Sequence, residues 1–223
     1  MAPEAENSLE RGAAGKEQAL DGLRRAILAG DMAPGQRLIE AELADTFRVT
    51  RASVRAALLD LTGEGLVERI PNRGARVRSV SVAEAVQITE CRMVLEGLCA
   101  AKAAERAGDE QIAHLVDIGA RLRSAVEAGE PLKYSGLNQE LHRYVQQISG
   151  QEVAMGLLGR LNAQLVRHQF RLALQPGRPQ VSLAQHLAIV EAVRDRDPQR
   201  AELAARHHLV SVIDALKATE AGR

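Results

Sequence analysis

Residues 43–58, which read LADTFRVTRASVRAAL, decide the fold of the first part of the chain. The apolar spacing on either side of Arg48-Val49 predicts two helices, over about 40–47 and 51–64, that are joined by a tight turn. Thr50 is a good N-cap for the second helix because its hydroxyl can accept a hydrogen bond from a free backbone N–H. This spacing predicts a helix-turn-helix.

Segments on both sides extend the helix pair into a larger unit. Leucine and isoleucine recur on one face of residues 16–29 and predict a first helix. Two short strands, over 66–70 and 75–80, are predicted around Pro71-Asn72-Arg73-Gly74, which is a strong hairpin signal. Three helices followed by a β-hairpin indicate a winged helix-turn-helix over residues 16–80.

The second part of the chain has a different pattern, with fewer glycine and proline breaks and long apolar-periodic segments. The first segment opens on the capping-box pattern Ser81-Val82-Ala83-Glu84, and the last on Asp197-Pro198, an N-cap followed by proline at the first helical position. Since no strand pattern is found there, residues 81–223 are predicted to form an all-helical antiparallel bundle of six or seven helices. The predicted fold class is mainly α. The segments run over about 81–107, 109–128, 131–149, 151–174, 182–194 and 197–219.

The composition excludes several classes of protein. With two Phe, two Tyr and no Trp, the core must consist of Leu, Val, Ile and Ala, which favours helix over sheet. The two cysteines, Cys91 and Cys99, are too few for a disulfide framework or a four-cysteine zinc site. No stretch of 18 apolar residues predicts a membrane span. Residues 1–15 lack the apolar core of a signal peptide and are expected to be a flexible tail, so we expect a cytoplasmic protein.

The net charge is zero, but the basic residues are not evenly distributed. Between residues 48 and 78, seven arginines face three acids, a local charge of +4. Arg51 and Arg55 share one face at the end of the helix that would enter the major groove, and arginine can bind guanine with two hydrogen bonds. A solvated basic face is the alternative, but the helix-turn-helix spacing favours DNA contact. The predicted DNA-binding residues are Thr50, Arg51, Ser53, Arg55, Arg73, Gly74 and Arg76.

The first part of the chain also resembles the GntR family of bacterial repressors. The resemblance rests on Pro34-Gly35-x-x-Leu38, on residues 43–58, on Glu64-Gly65-Leu66-Val67 and on Asn72-Arg73-Gly74. It implies a DNA-binding transcriptional regulator with double-stranded DNA as its partner. The sequence departs from the family at Ser53, where proline is usual, and at Ala56, where glutamate is usual. Ala41 stands where some relatives have a DNA-contacting arginine, so the operator sequence cannot be transferred.

The second part resembles the FadR-like subgroup of this family, whose C-terminal region is an FCD domain. The motif Glu90-x-Arg92-x-x-Leu95-Glu96 with Ala100-Ala101 is similar to the first helix of that domain. The resemblance implies that residues 81–223 form a homodimer and bind a small effector. A two-fold symmetric protein would match a palindromic operator.

The same resemblance implies a metal site in the helical part. The ligands of metal-binding FCD domains correspond here to Asn138, His142, His186 and His208, with His207 as the neighbouring alternative to His208. Imidazoles suit Zn, Ni, Fe or Mn, whereas the amide of Asn138 is a weaker ligand than a carboxylate. From spacing alone, each histidine is more often a partner in a hydrogen bond between helices.

Arg92 is the candidate for binding the effector. A metal ion with an open position would bind a small organic acid, and a nearby guanidinium could pair with its carboxylate. The competing interpretation is a pair within the helix, between Arg92 and Glu96 four residues later. Arg167 and Arg171 are weaker candidates.

Two alternatives to an effector-controlled regulator belong to other functional classes. The first is a metal-dependent enzyme with an accessory DNA-binding head. The sequence has no His-Glu-x-x-His motif and no recognisable Ser or Cys nucleophile, so we do not expect an enzyme. The second is a DNA-binding protein without an effector, which a sealed bundle core would favour.

Overall fold

The computed structural model describes residues 3–71 and 73–221, with side chains at 13–71, 73–166, 168, 169 and 171–219. Its helices and strands form two compact units, Met1–Val80 and Ser81–Arg223. This division falls at the boundary that the change in sequence pattern predicts. None of the helices in the described residues is long and apolar enough to cross a bilayer.

The first unit is a winged helix-turn-helix, as predicted. The described elements are α1 (Pro3–Ala29), β1 (Arg37–Leu38), α2 (Glu40–Phe47), α3 (Arg51–Gly63), β2 (Val67–Ile70) and β3 (Gly74–Val77). A flexible tail was expected over residues 1–15, whereas in the structure α1 already begins at Pro3. Alanine and glutamate favour helix, which lets this segment continue the amphipathic helix toward the N-terminus. Residues 1 and 2, and Asn72 at the predicted hairpin tip, lie outside the described residues.

The turn between α2 and α3 is held by backbone and side-chain hydrogen bonds. Arg48 caps α2 in the left-handed region, with φ 53° and ψ 47°, and the N–H of Val49 donates to the carbonyl of Ala44. Thr50 is the N-cap of α3, as predicted, and its Oγ1 accepts a hydrogen bond from the N–H of Ser53. These contacts hold the first turn of α3 in a fixed position relative to the end of α2.

A short strand that the sequence analysis missed joins the hairpin. Strand β1 pairs antiparallel with β3, giving the sheet order β1-β3-β2, with Arg37 opposite Arg76 and Glu68 on the other side of Arg76. Two residues are too few to produce an alternating pattern, so only pairing with β3 identifies β1 as a strand.

The second unit is an all-helical bundle, as predicted, with six helices in the described residues. Helix α8 begins at Arg178, before the expected start at Ser182. The earlier start is possible because proline, here Pro179, is tolerated in the first turn of a helix. Leu115, Ile118, Leu122 and Leu141 are among the buried residues of the core. The helices are α4 (Val82–Arg106), α5 (Asp109–Glu127), α6 (Pro131–Ser149), α7 (Glu152–Ala173), α8 (Arg178–Arg194) and α9 (Pro198–Ala221).

Candidate metal centre and nucleic-acid interface

Three predicted metal ligands meet inside the bundle. His142 on α6, His186 on α8 and His208 on α9 each direct Nε2 toward the same point. The Nε2 atom of His186 lies 3.3 Å from that of His142 and 3.3 Å from that of His208. His186 and His208 are buried and His142 is nearly so. Three imidazole nitrogens from three helices therefore share one small volume.

Each imidazole has a neighbour at its other ring nitrogen. The Nδ1 atom of His142 lies 3.0 Å from Oε2 of Glu96, and that of His208 lies 3.1 Å from Oε1 of Gln185. Carboxylate and amide oxygens can only accept, so they favour the proton on Nδ1 and leave the lone pair on the inward Nε2. The Nδ1 atom of His186 lies 2.9 Å from the hydroxyl of Tyr134, which can donate or accept.

His186 and His208 favour the neutral form. Burial, followed by the charges of His142 and Arg178, lowers the pKa of His186 well below its usual value. Burial and the charges of its neighbours, His186 first, lower the pKa of His208 in the same way. Neutral imidazoles are the form that binds metal. Without a metal, a single N–H of His186 can be shared with the other two rings, which is the hydrogen-bonded alternative that spacing alone favours.

The fourth predicted ligand, Asn138, lies one turn before His142 on α6. Its Oδ1 atom is buried and has no hydrogen-bond partner. A buried carbonyl oxygen without a partner is costly, by about 1–3 kcal/mol, so this oxygen is available to a ligand that can bind it.

Arg92 forms a buried ion pair with Glu96 within α4. This pair is the competing interpretation given for Arg92 in the sequence analysis. Its Nε and Nη2 atoms donate to Oε1 of Glu96 at 3.0 and 2.7 Å, and both side chains are buried. Burial raises the pKa of Glu96, but the charges of Arg92 and His142 outweigh it and hold the pKa at about 2. One helical turn thus places the two residues side by side, and binding of an effector by Arg92 stays a prediction.

Glu96 is a site residue that the sequence analysis did not assign. One oxygen pairs with Arg92 and the other faces His142, so the carboxylate connects the buried cation to the histidine cluster. The sequence showed Glu96 as part of the motif over residues 90–96, but it could not show the contact with α6, which depends on how the helices pack.

The first turn of α3 presents only some of the predicted DNA-binding residues. Arg51 is exposed, and Arg55 is exposed and paired with Glu40, with its Nη2 2.8 Å from Oε2. Ser53 is buried, with 5% of its surface exposed, and its Oγ lies 3.0 Å from Oγ1 of Thr50. Little of the Ser53 side chain is therefore open to a phosphate, because this position faces α1 at Gly15, where an added Cβ would lie 3.0 Å from the serine hydroxyl.

The wing adds exposed arginines on the sheet. Arg73 and Gly74 are exposed at the hairpin, and Gly74 has a φ of 85°, which glycine adopts without strain. Arg76 is exposed and donates to Oε1 of Glu68 at 2.6 Å. Arg37 on β1 and Arg69 on β2 are also exposed, and neither was among the predicted contacts.

Models of two known domains match these two units. The family described as "Bacterial regulatory proteins, gntR family" matches residues 16–77, and the FCD domain matches residues 87–211. The chain belongs to the GntR family. A GntR protein with an FCD domain is a transcriptional regulator and not an enzyme, which confirms both predictions.

Curated relatives match along most of their length. The chain is 29% identical over 195 residues to the HTH-type transcriptional repressor RspR of Escherichia coli K12, covering 87% of this chain and 86% of RspR. It is 28% identical over 215 residues to the HTH-type transcriptional repressor NanR of Cronobacter sakazakii, covering 85% and 78%. An uncharacterised HTH-type regulator of Streptomyces ambofaciens is 32% identical over 201 residues, with coverage of 87% and 82%.

Solved structures support the GntR fold. Escherichia coli McbR/YncC superposes with a TM-score of 0.76 at 20% identity, covering 92% of this chain and 98% of that one. Streptococcus agalactiae GntR gives a TM-score of 0.50 at 27% identity, covering 89% and 99%.

Proposed function

We propose that this GntR protein is a homodimeric repressor that binds a palindromic operator and is controlled by a small carboxylate effector beside a metal ion in its bundle. The observation that carries the proposal is the convergence of three Nε2 atoms, with two Nδ1 positions facing oxygens that can only accept. Repression is supported by the names of RspR and NanR.

The donor set fits a divalent cation. His142, His186 and His208 would supply three ring nitrogens, and Asn138, one turn before His142, would supply a buried oxygen that has no hydrogen-bond partner. Nitrogen with one oxygen donor suits Zn, Ni, Fe or Mn. When bound, the metal would supply a positive charge that attracts a carboxylate, and Glu96 would hold the ring of His142 in position.

Exposed apolar side chains on α4 and α7 support the homodimer. Val94 and Leu98 on α4, with Val153 and Leu157 on α7, are all exposed, and Val153 is 80% exposed. The two helices pack together beneath this face through Cys99, Ala154 and Leu158. Exposed apolar side chains at four-residue spacing on two packed helices are typical of a protein interface. Light scattering at micromolar concentration should give twice the chain mass, and a stable monomer would contradict the dimer.

Metal analysis tests the central part of the proposal. Protein purified without a histidine tag and supplied with Zn should retain about one equivalent per chain after dialysis, because the three imidazoles are already brought together. Elemental analysis measures the content directly. Less than about a tenth of an equivalent after incubation with Zn, Ni, Fe and Mn in turn would remove the metal from the proposal.

Replacing Arg51 with alanine tests the DNA-binding surface. A double-stranded site selected from a random library by the full-length protein provides the probe. Arg51→Ala should weaken binding to that site by about 1–3 kcal/mol, since an exposed arginine in the first turn of the recognition helix is lost. Gel shift or fluorescence anisotropy measures the Kd at fixed salt.

The matched control is Arg123→Ala, which removes the same charge from an exposed position on α5. It should leave the Kd within about twofold. Equal losses for the two variants would show that charge alone matters, and an unchanged Kd for Arg51→Ala would remove this residue from the interface.

A further inference from the structure

We propose that Arg69 of β2 binds a backbone phosphate of the operator beside Arg51 and Arg55, and that Arg76 of the wing does not contact DNA. This inference rests on the proposed operator binding. It adds a contact on the strand that the sequence analysis did not predict, and it replaces one that the sequence analysis did predict.

The register of the sheet separates its arginines onto two faces. Side chains alternate between the faces along a strand, and residues directly opposite each other on paired strands share a face. Arg69 lies opposite Ala75 on β3, which lies opposite Leu38 on β1. Ala75 and Leu38 are buried, with 5% and 4% of their surface exposed, so this row belongs to the face that packs in the core. Arg69 is at the end of the row, on the edge strand β2, and is exposed there.

Arg76 lies on the other face of the sheet. Arg37 on β1 and Glu68 on β2 are its direct neighbours, so these three side chains form a row that points away from the core. The Nε atom of Arg76 donates to Oε1 of Glu68 at 2.6 Å, which offsets its positive charge. Arg69 and Arg76 therefore project from opposite sides of the sheet.

Glu40, the first residue of α2, connects Arg69 to the helix-turn-helix. Its carboxylate accepts hydrogen bonds from Nε and Nη2 of Arg55 at 3.3 and 2.8 Å. The hydrogen bond from Arg55 lowers the pKa of Glu40, burial opposes this, and the charges of Arg69 and Arg51 add to the lowering. Arg69 thus lies within electrostatic range of the same carboxylate as the two arginines of α3.

One carboxylate cannot neutralise three guanidinium groups. Arg51, Arg55 and Arg69 are all exposed, and their charge exceeds that of Glu40 by two. Strand β2 packs against α3, the helix that would enter the major groove, so an exposed arginine on this side of the strand lies beside the groove wall. The walls are sugar-phosphate backbones, which receive at least half of the hydrogen bonds between proteins and DNA. A phosphate oxygen is therefore the partner that Arg69 would bind.

The salt dependence of binding tests this contact. Fluorescence anisotropy gives the Kd of the full-length protein for the selected duplex, and for a duplex of unrelated sequence, between about 50 and 200 mM salt. Arg69→Ala should lower the magnitude of the slope of log Kd against log salt by about 0.9, because one phosphate fewer is neutralised. Binding to both duplexes should weaken by a similar factor, on the order of fivefold at fixed salt, since a phosphate carries no sequence information.

Three variants make the result specific to Arg69. Arg69→Lys keeps the positive charge and should hold the slope within about 0.3 of the parent value, which a structural role of the guanidinium would not allow. Arg37→Ala is the matched control, because it removes an exposed arginine from the opposite face of the same sheet. This variant and Arg76→Ala should each leave the slope within about 0.3 of the parent value.

An unchanged slope in Arg69→Ala would overturn the proposal, as would a loss of slope in Arg76→Ala or Arg37→Ala as large as that in Arg69→Ala. A loss of affinity confined to the selected duplex would overturn the assignment to a phosphate.

Failure of this contact is distinguishable from failure of the proposed operator binding. If Arg51→Ala weakens binding to the selected duplex and Arg69→Ala does not, only the contact of Arg69 is contradicted. If the protein selects no duplex from the library, operator binding is contradicted, and the slope on the unrelated duplex still decides the role of Arg69.

Discussion

Replacing His186 with alanine is expected to abolish zinc retention. His186 is the central member of the cluster, since its Nε2 lies 3.3 Å from those of both His142 and His208. Its removal leaves two imidazoles and one amide, too few for a closed site. If the binding free energy of such a site is divided over its ligands, the loss of one corresponds to a fall in affinity on the order of 100-fold or more.

The measurement is metal content after dialysis, followed by competition with a chelator for the affinity. His207→Ala is the matched control, because His207 neighbours His208 on α9 but is exposed and should leave the zinc content unchanged. Asn138→Asp should act in the opposite direction and tighten binding, since a carboxylate is a better ligand than an amide. Retention of about one equivalent by His186→Ala would place the metal elsewhere.

Replacing Glu96 with glutamine is expected to destabilise the helical unit by about 3–5 kcal/mol, the usual cost of removing one partner from a buried ion pair. Arg92 would remain buried without a counter-charge, and His142 would lose the carboxylate at its Nδ1. Urea denaturation at neutral pH with a chelator present measures the free energy of unfolding without a contribution from metal.

Two further variants make the stability experiment specific. Glu105→Gln breaks the exposed pair with Lys102 on the same helix and should cost less than about 0.5 kcal/mol. The double variant Arg92→Met with Glu96→Leu removes both charges and should recover most of the loss, because no charge is left buried alone. If the free energy of unfolding of Glu96→Gln lies within about 1 kcal/mol of that of the parent protein, the ion pair contributes little to the stability of the bundle.

Local signals along the chain allowed much of the fold to be predicted. Helix α2 has the predicted bounds, and Thr50 and Ser81 cap α3 and α4 with the side-chain bonds that their residue types predict. Capping and helical periodicity depend on residues within about four positions of each other, so they are readable from sequence. The pairing of β1 with β3 joins residues almost forty positions apart and was not readable.

The candidate site was likewise predictable from the sequence only in part. The residue types at His142, His186 and His208 were chosen from the sequence through a family resemblance, and four-residue spacing alone put Asn138 beside His142. The sequence also supplied both interpretations of Arg92 without a means to choose between them. Ser53 had the right chemistry for a phosphate contact, but its position in the first turn of α3 turns it toward α1.

The sequence by itself determined the helix-turn-helix, the basic wing and the helical second unit, because each is set by neighbours along the chain, whereas the histidines were chosen through the family resemblance. Only the tertiary structure decided which faces of α4, α6, α8 and α9 meet. That packing brings the three Nε2 atoms together, sets Glu96 against His142 and leaves Arg178 with a buried nitrogen that has no partner. The physical reason is that a side chain's partner across helices depends on rotation and packing, which no local pattern encodes.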